Sequence, residues 1–367
     1  MPKPGPLLFY WMRATMQKIE SLEMINISKS FHGVRANDNI NVKVSSGEIL
    51  GLLGENGAGK TTLMNILYGI YQPDAGEIRI NGHRISIDSP KASIDHGIGM
   101  VHQHFMLVQN HTVIENIALG YAHSPWLFPQ KKIRQRIVSF SEKFNFDIDP
   151  EKIVGQLSAG EQQRVEIIKA LINGAGLLIL DEPTSVLTPQ ETRDFFQVLE
   201  KMRKDGQMII LISHKLDEIK RLCDRVTVLR KGQVVGHADA GQLDKRALAR
   251  MMIGRDVIFS FSREKMPRKE KVLEVADVRV NGDKGYPVVN GISFEVYRNE
   301  IFGIAGVSGN GQRELVEAIT GLRTVTHGQI RINVIDITNQ SARKIHNTGV
   351  SHVPEERMRF GIAPNLC

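Results

Sequence analysis

Three short apolar runs punctuate the first two thirds of the chain: EILGLLG (Glu48 to Gly54), GLLILDE (Gly176 to Glu182) and MIILISH (Met208 to His214). Each is bounded by glycine or charge and lacks polar alternation, the pattern of strands buried on both faces of a mostly parallel sheet. Between them lie segments of helical period. KTTLMNILYGI (Lys60 to Ile70) enters a helix directly from a glycine-rich loop, and QETRDFFQVLEKMRKDG (Gln190 to Gly206) is amphipathic and stops at a glycine. Strands alternating with helices predict an α/β domain.

The pattern occurs twice. LEMINISKSF leading to GEILGLLGENGAGKTTL is echoed by LEVADVRVNG leading to NEIFGIAGVSGNGQREL. The offset that carries Gly54 onto Gly306 also carries Gly76-Glu77-Ile78-Arg79-Ile80-Asn81 onto Gly328-Gln329-Ile330-Arg331-Ile332-Asn333. It carries Gly97, Val101 and Gln103 onto Gly349, Val353 and Glu355 as well. So long a period marks a duplicated domain rather than a short-repeat solenoid. The last residue, Cys367, corresponds to Glu115, so motifs of the first copy beyond Glu115 have no counterpart in this chain.

The first loop, Gly54-Glu55-Asn56-Gly57-Ala58-Gly59-Lys60-Thr61, fits G-x-x-x-x-G-K-[ST]. Its glycines let backbone N–H groups turn inward around a phosphate, and the following helix points its positive end at the anion. Lys60 reaches the β- and γ-phosphates, Thr61 offers a hydroxyl to Mg²⁺, and Thr62 is placed for the α-phosphate. In the second copy Gln312 and Arg313 replace the Lys-Thr pair. A glutamine carries no charge for a γ-phosphate, and a guanidinium is donor-only. The second site is therefore expected to bind ATP poorly and to hydrolyse it slowly, if at all.

The strand GLLILDE ends in Asp181 and Glu182. Beside a phosphate loop, an Asp at a strand's C-terminal end is placed to hold Mg²⁺, and Glu182 to act as general base toward water. Alone, the pair would read equally well as acids opening a helix.

Composition narrows the class. Of 367 residues, 41% are hydrophobic and 24% charged, the balance of an ordinary globular protein. No apolar run reaches the roughly 18 residues of a spanning helix. Two cysteines, Cys223 and Cys367, supply neither a disulfide framework nor a metal spacing. The net charge of +7 is scattered except at REKMPRKEK (Arg263 to Lys271), where no aromatics interleave. That run reads as a solvated linker, and no nucleic-acid partner is expected.

Further motifs fall between these. QLSAGEQQRVEIIKAL (Gln156 to Leu171) contains Leu157-Ser158-Ala159-Gly160-Glu161; Gln103 lies in MVHQHFML, His214 in LISHKLDE, and Ser185 to Thr188 read SVLT. In this order they resemble ATP-binding cassette (ABC) proteins over nearly the whole chain. The resemblance implies a P-loop NTPase fold with an antiparallel β subdomain and a helical subdomain, followed by a partial second copy. It gives Gln103 the Q-loop role, touching Mg²⁺ or water and linking to the membrane partner. His214 becomes the switch histidine at the γ-phosphate, and Phe31 the aromatic stacked on adenine. Ser158, Ala159, Gly160 and Glu161 become the signature that clamps nucleotide held by an opposite domain. Thr188 stands where many members have Asp, Ala159 replaces the usual glycine, and Glu161 replaces the commoner Gln, adding a negative charge near the clamp.

The tandem layout, the weakened second loop and VPEER near the end resemble the importer subfamily for simple sugars and nucleosides. VHQHFMLV, EQQRVEI and EPTSVLTPQE lean toward its nucleoside branch. The resemblance implies an ATPase using ATP and Mg²⁺, peripheral at the cytoplasmic face of the membrane. Its partners would be integral-membrane permease subunits, indirectly a periplasmic or lipoprotein solute-binding protein, and a second ABC domain in cis or in a second chain. Two rival readings are a soluble tandem ATPase acting on the ribosome or nucleic acid, and a pseudo-enzyme that only binds nucleotide. The expected organisation is a disordered tail at 1–20, a first ABC domain at 21–258, a linker at 259–271 and the N-terminal part of a second domain at 272–367. Without a second signature, weak hydrolysis is expected unless two chains pair or the missing piece is supplied.

Overall fold

The computed structural model describes residues 19–103, 105–120, 130–144, 146, 148–241, 244–255, 267–283, 285–307, 309–354 and 361–362. The chain divides into two compact units, Met1–Phe259 and Ser260–Cys367. The tail up to residue 18, the first four residues of the basic run (263–266) and the glutamates and arginine of VPEER lie outside the described residues.

The first unit opens on an antiparallel sheet. Strands β1 (Ser21–Phe31), β2 (Val34–Ser45), β4 (Ala75–Ile80) and β5 (His83–Ile85) are ordered β2-β1-β4-β5. The sheet is buried on one face, so Leu22 and Met24 alternate with more exposed neighbours. The second sheet is ordered β10-β9-β3-β8-β7-β6, from β3 (Ile49–Leu53), β6 (Ile98–Val101), β7 (Leu177–Asp181), β8 (Met208–Ile212), β9 (Arg225–Arg230) and β10 (Gln233–Asp239). All its pairings are parallel except β9 with β10.

Every residue of β3, β7 and β8 is buried, the expectation drawn from their unbroken apolar runs. The two-residue period of a strand then sorts them into two cores. Leu50, Leu52, Ile179, Ile210 and Ile212 join the antiparallel sheet and helix α1 (Lys60–Leu67). Ile49, Leu53, Leu178, Leu180, Ile209 and Leu211 join the opposite core. That core also takes the apolar faces of α3 (Val113–Leu119), α4 (Gln130–Phe144), α5 (Ala159–Ile172), α6 (Pro189–Lys204) and α7 (Leu216–Leu222); α2 (Pro90–Asp95) precedes β6, and α8 (Lys245–Ile253) follows β10. The expected α/β architecture, with its antiparallel and helical parts, is thus the one found.

The sequence boundaries shift in two places. Ile19, assigned to the tail, is only 6% exposed and packs into the core beside Gly176. Lys271, assigned to the linker, already begins a strand. Among the described residues, no helix is long and apolar enough to cross a membrane.

The second unit repeats the first sheet. Strands β11 (Lys271–Asn281), β12 (Pro287–Tyr297), β13 (Val325–Ile332) and β14 (Ile335–Asp336) are ordered β12-β11-β13-β14. Leu273 pairs with Ile332 and Val275 with Ile330, as Leu22 pairs with Ile80 and Met24 with Ile78. Helix α9 (Gln312–Ile319) follows the second loop, and a short α10 (Ala342–His346) comes after the sheet. The run Ile301 to Val307 forms no strand among the described residues, and Ile301 is 83% exposed where its equivalent Ile49 is 0%. The partners of β3 in the first unit, β8 and β9, are drawn from sequence beyond the repeated region.

Candidate active site

The first glycine loop joins β3 to α1. Gly59 caps the helix in the left-handed region at φ 99°, and Gly57 turns at φ 80°. These are conformations that side chains with a Cβ resist. Space forbids a Cβ as well: at Gly59 it would collide with the Ala36 carbonyl, and at Gly54 with the Leu229 carbonyl. Asn37 Nδ2 donates to Gly59 O at 3.1 Å and Gly232 N to Ala58 O at 3.1 Å, so two neighbouring segments brace the loop from outside.

Lys60 is buried, and its Nζ donates to the loop's own carbonyls, Gly54 O at 2.7 Å and Glu55 O at 2.9 Å. Burial pushes its pKa down, opposed by the charges of Glu182 and Asp181. Asp181 is buried at the end of β7, and its carboxyl is pushed up from the usual range by burial and by Glu182, against Lys60 and Thr61. Its Oδ2 lies 3.5 Å from Thr61 Oγ1.

Glu182 follows directly in the left-handed region at φ 46°, uncommon for a non-glycine residue. Its N–H still donates to Ile212 O at 3.0 Å, extending the β7–β8 ladder by one bond. Strain of this kind persists where surrounding structure imposes it. The carboxylate ends between two partners: Oε1 lies 2.9 Å from His214 Nδ1, and Oε2 accepts from Gln103 Nε2 at 3.3 Å. Strand β8 delivers His214, and the segment after β6 delivers Gln103. Residues far apart in sequence thus converge on one carboxylate.

Asn56 to Thr62, Gln103, Asp181 and Glu182 line a cleft of about 650 Å³; His214 is not among its lining residues and reaches it through Glu182. The volume falls in the range of small-molecule sites. Val34, Arg35, Ala36 and Lys231 line it too, and no motif singled them out. Phe31 does not line this cleft; its ring packs edge-on against Tyr71 at 5.0 Å, with Lys29 above it.

The signature residues also lie outside the cleft lining, at the start of α5. Ser158 caps that helix and Glu161 returns the bond, a reciprocal capping box. Glu161 also pairs with Lys152 at 3.1 Å, so the charge expected to burden the clamp is compensated. A Cβ on Gly160 would come within 2.7 Å of Glu191 Oε1. Thr188, the departure in SVLT, caps α6 through a second capping box with that same Glu191.

The second loop keeps the backbone, with Gly309 at φ 88° and Gly311 at φ 92°. Gln312 Nε2 donates to Val307 O at 3.2 Å, and Arg313 is tied to Asp283 at 2.7 Å and to Glu317 at 3.3 Å. The arginine therefore joins an ion-pair cluster on its own surface.

A Mg²⁺ ion would find few protein ligands: among the described residues, no three or more His, Cys, Asp or Glu cluster as a metal site. Thr61 and Asp181 nonetheless fit the usual Mg²⁺ pattern, in which one or two protein oxygens complement substrate phosphates.

A family profile described as ABC transporter matches residues 37–185 and 289–364. The chain is 45% identical to the glucose import ATP-binding protein TsgD13 of Haloferax volcanii, covering 94% of this chain and 68% of that protein. It is 45% identical to the nucleoside import ATP-binding protein NupA of Lactococcus lactis (93% and 68%). It is 46% identical to the guanosine import ATP-binding protein NupO of Bacillus subtilis (93% and 67%). Among solved structures, cbiO1 of Clostridium perfringens, part of the ABC transporter complex cbiONQ, matches at TM-score 0.54 and 28% identity, over 63% of this chain and 92% of that one. The ADP conformation of the cassette MJ1267 matches at TM-score 0.58 and 24% identity, over 64% and 99%.

Proposed function

The chain belongs to the ABC transporter family, and from that premise we propose that it is the ATP-hydrolysing subunit of an importer for a sugar or a nucleoside. Glu182 carries this reading: a carboxylate shared by Gln103 and His214 at the mouth of a glycine loop suits activation of water beside a bound phosphate chain. Lys60 would exchange the loop carbonyls for phosphate oxygens, and the N–H groups of Gly57 to Thr61 would cradle the chain at the start of α1. Thr61 and Asp181, with Gln103 nearby, would hold Mg²⁺, whose charge when bound neutralises phosphate oxygens. Glu182 would take the proton of the attacking water, and His214 would hold Glu182 and meet the γ-phosphate. Ser158 to Glu161, on a separate face, would close over nucleotide carried by an opposite domain.

The transport role follows the relatives, all three of which are named import ATP-binding proteins. The chain would sit at the cytoplasmic face of a membrane, peripheral to permease subunits that receive solute from a binding protein. The test is expression with the cognate permease. The chain should partition with the membrane and gain solute-dependent ATP hydrolysis. A chain that remains with ribosomes, or shows no solute dependence, would overturn the import reading.

Asp181 yields a separate prediction. A carboxyl whose folded pKa is raised makes the folded state hold its proton more tightly than the unfolded chain does. Its stabilising contribution is full at acid pH and is lost as pH rises from the ordinary Asp value through the raised one. Above the ordinary Asp value the carboxyl is therefore a cost to the nucleotide-free protein. Asp181→Asn should raise the melting temperature of that form by a few degrees, for a gain of about 1 kcal/mol. It should also abolish the Mg²⁺ dependence of nucleotide binding. Calorimetry with and without Mg²⁺ reads both, and a lowered melting temperature would contradict the electrostatic account.

A further inference from the structure

The cleft contains a cation for which no motif accounts. Lys231 and Gly232 form a two-residue turn, with Arg230 and Gln233 paired across it. Both turn residues have positive φ, 50° and 78°. Such turns favour Asn, Asp or Gly at the first position. A lysine there is strained, and an outlier of this kind directs attention to function.

The turn is fixed on two sides, to the phosphate loop and to strand β2. Gly232 N donates to Ala58 O at 3.1 Å, and Gly232 O accepts from Asp38 N at 2.8 Å. Asp38 in turn accepts from Gln233 Nε2 at 2.8 Å and pairs with Arg35 at 2.9 Å. Arg35, the other cation at this end, is thereby partly neutralised. Lys231 has no ion-pair partner among the described residues. The carboxylates of Asp181 and Glu182 lie with Gln103 in the same cleft. A phosphate chain held by the loop Asn56 to Thr62 would share the cleft with Val34 to Ala36 and Lys231.

We infer that Lys231 is an affinity-determining residue of the first site, contacting the inner phosphates of a nucleoside di- or triphosphate through its charge. The inference rests on the nucleotide reading of the cleft and adds a ligand contact to it. Lys231→Asn is the discriminating variant, because asparagine suits the turn and should hold or raise the melting temperature. Titration calorimetry of the full chain at low salt should show ATP and ADP weakened by the same factor, about tenfold or more for loss of a charge-assisted bond. Added salt should shrink the difference, and Lys231→Arg should recover most of the affinity. Unchanged ATP and ADP affinity in a folded Lys231→Asn protein would overturn the inference. So would a loss confined to ATP, which would place the lysine at the terminal phosphate. A wild-type chain that binds no nucleotide would sink the underlying reading, and the inference with it.

Discussion

Glu182→Gln should leave nucleotide binding nearly unchanged and slow hydrolysis by about 10²–10⁴-fold, the usual contribution of a positioned general base. The amide keeps the shape and both hydrogen-bonding positions. Gln103 Nε2 can still donate to the amide oxygen, and His214 can take the tautomer that suits the amide nitrogen. What is lost is the capacity to accept a proton from water. The backbone strain at φ 46° belongs to the position and persists in the variant, so the fold should hold. One negative charge also leaves the neighbourhood of Lys60 and Asp181, so affinity for an anionic nucleotide should stay level or rise slightly. Single-turnover hydrolysis, measured beside ATP affinity in the permease-assembled protein, separates the two effects. Hydrolysis within a few-fold of wild type would remove Glu182 from the chemistry. An equal fall in affinity and rate would make it a binding residue instead.

Most of this site was legible in the sequence because its parts are constrained locally. A glycine that must adopt φ near 99° against a neighbouring carbonyl announces itself, and so does an apolar run ending in two carboxylates. Gln103 and His214 were placed by resemblance alone. Their meeting at a single carboxylate is a product of strand order, with β6, β7 and β8 adjacent in one sheet. The missed features are tertiary in origin. Lys231 reaches the cleft because a hairpin turn is pinned to Ala58, a contact that crosses most of the first unit's sequence. Glu161 reads as an unwelcome charge until Lys152 is seen beside it. Thr188 reads as a departure until its capping box with Glu191 is seen, which gives it a helix to start in place of a carboxylate to present. Phe31 was likewise placed by resemblance, and its ring packs against Tyr71 outside the cleft lining.

Lys60→Ala should weaken ATP binding by about 10²–10³-fold, the scale on which loss of one preorganised charged or donor group is felt, and ADP binding by less. The difference follows from reach: the ammonium serves the β- and γ-phosphates, so ADP forfeits only part of the contact. Lys60→Arg should not restore the wild-type values. The ammonium sits at 2.7 and 2.9 Å from two carbonyls inside a tight loop, and a planar guanidinium is broader and differently directed. Without the cation, Asp181 and Glu182 lose a nearby positive charge, which adds electrostatic resistance to an incoming anion. The same variant also tests the asymmetry between the two glycine loops. In the second, Gln312 is bonded to Val307 and Arg313 is held by Asp283 and Glu317, so neither side chain is free to meet a phosphate without breaking a bond it already makes. Wild-type protein should therefore bind one nucleotide per chain in the affinity range of the first loop. Lys60→Ala should remove that single site and expose no second one. A stoichiometry of two in wild type, or a tight site surviving in Lys60→Ala with an unchanged melting curve, would show that the second loop binds nucleotide with its backbone cradle alone.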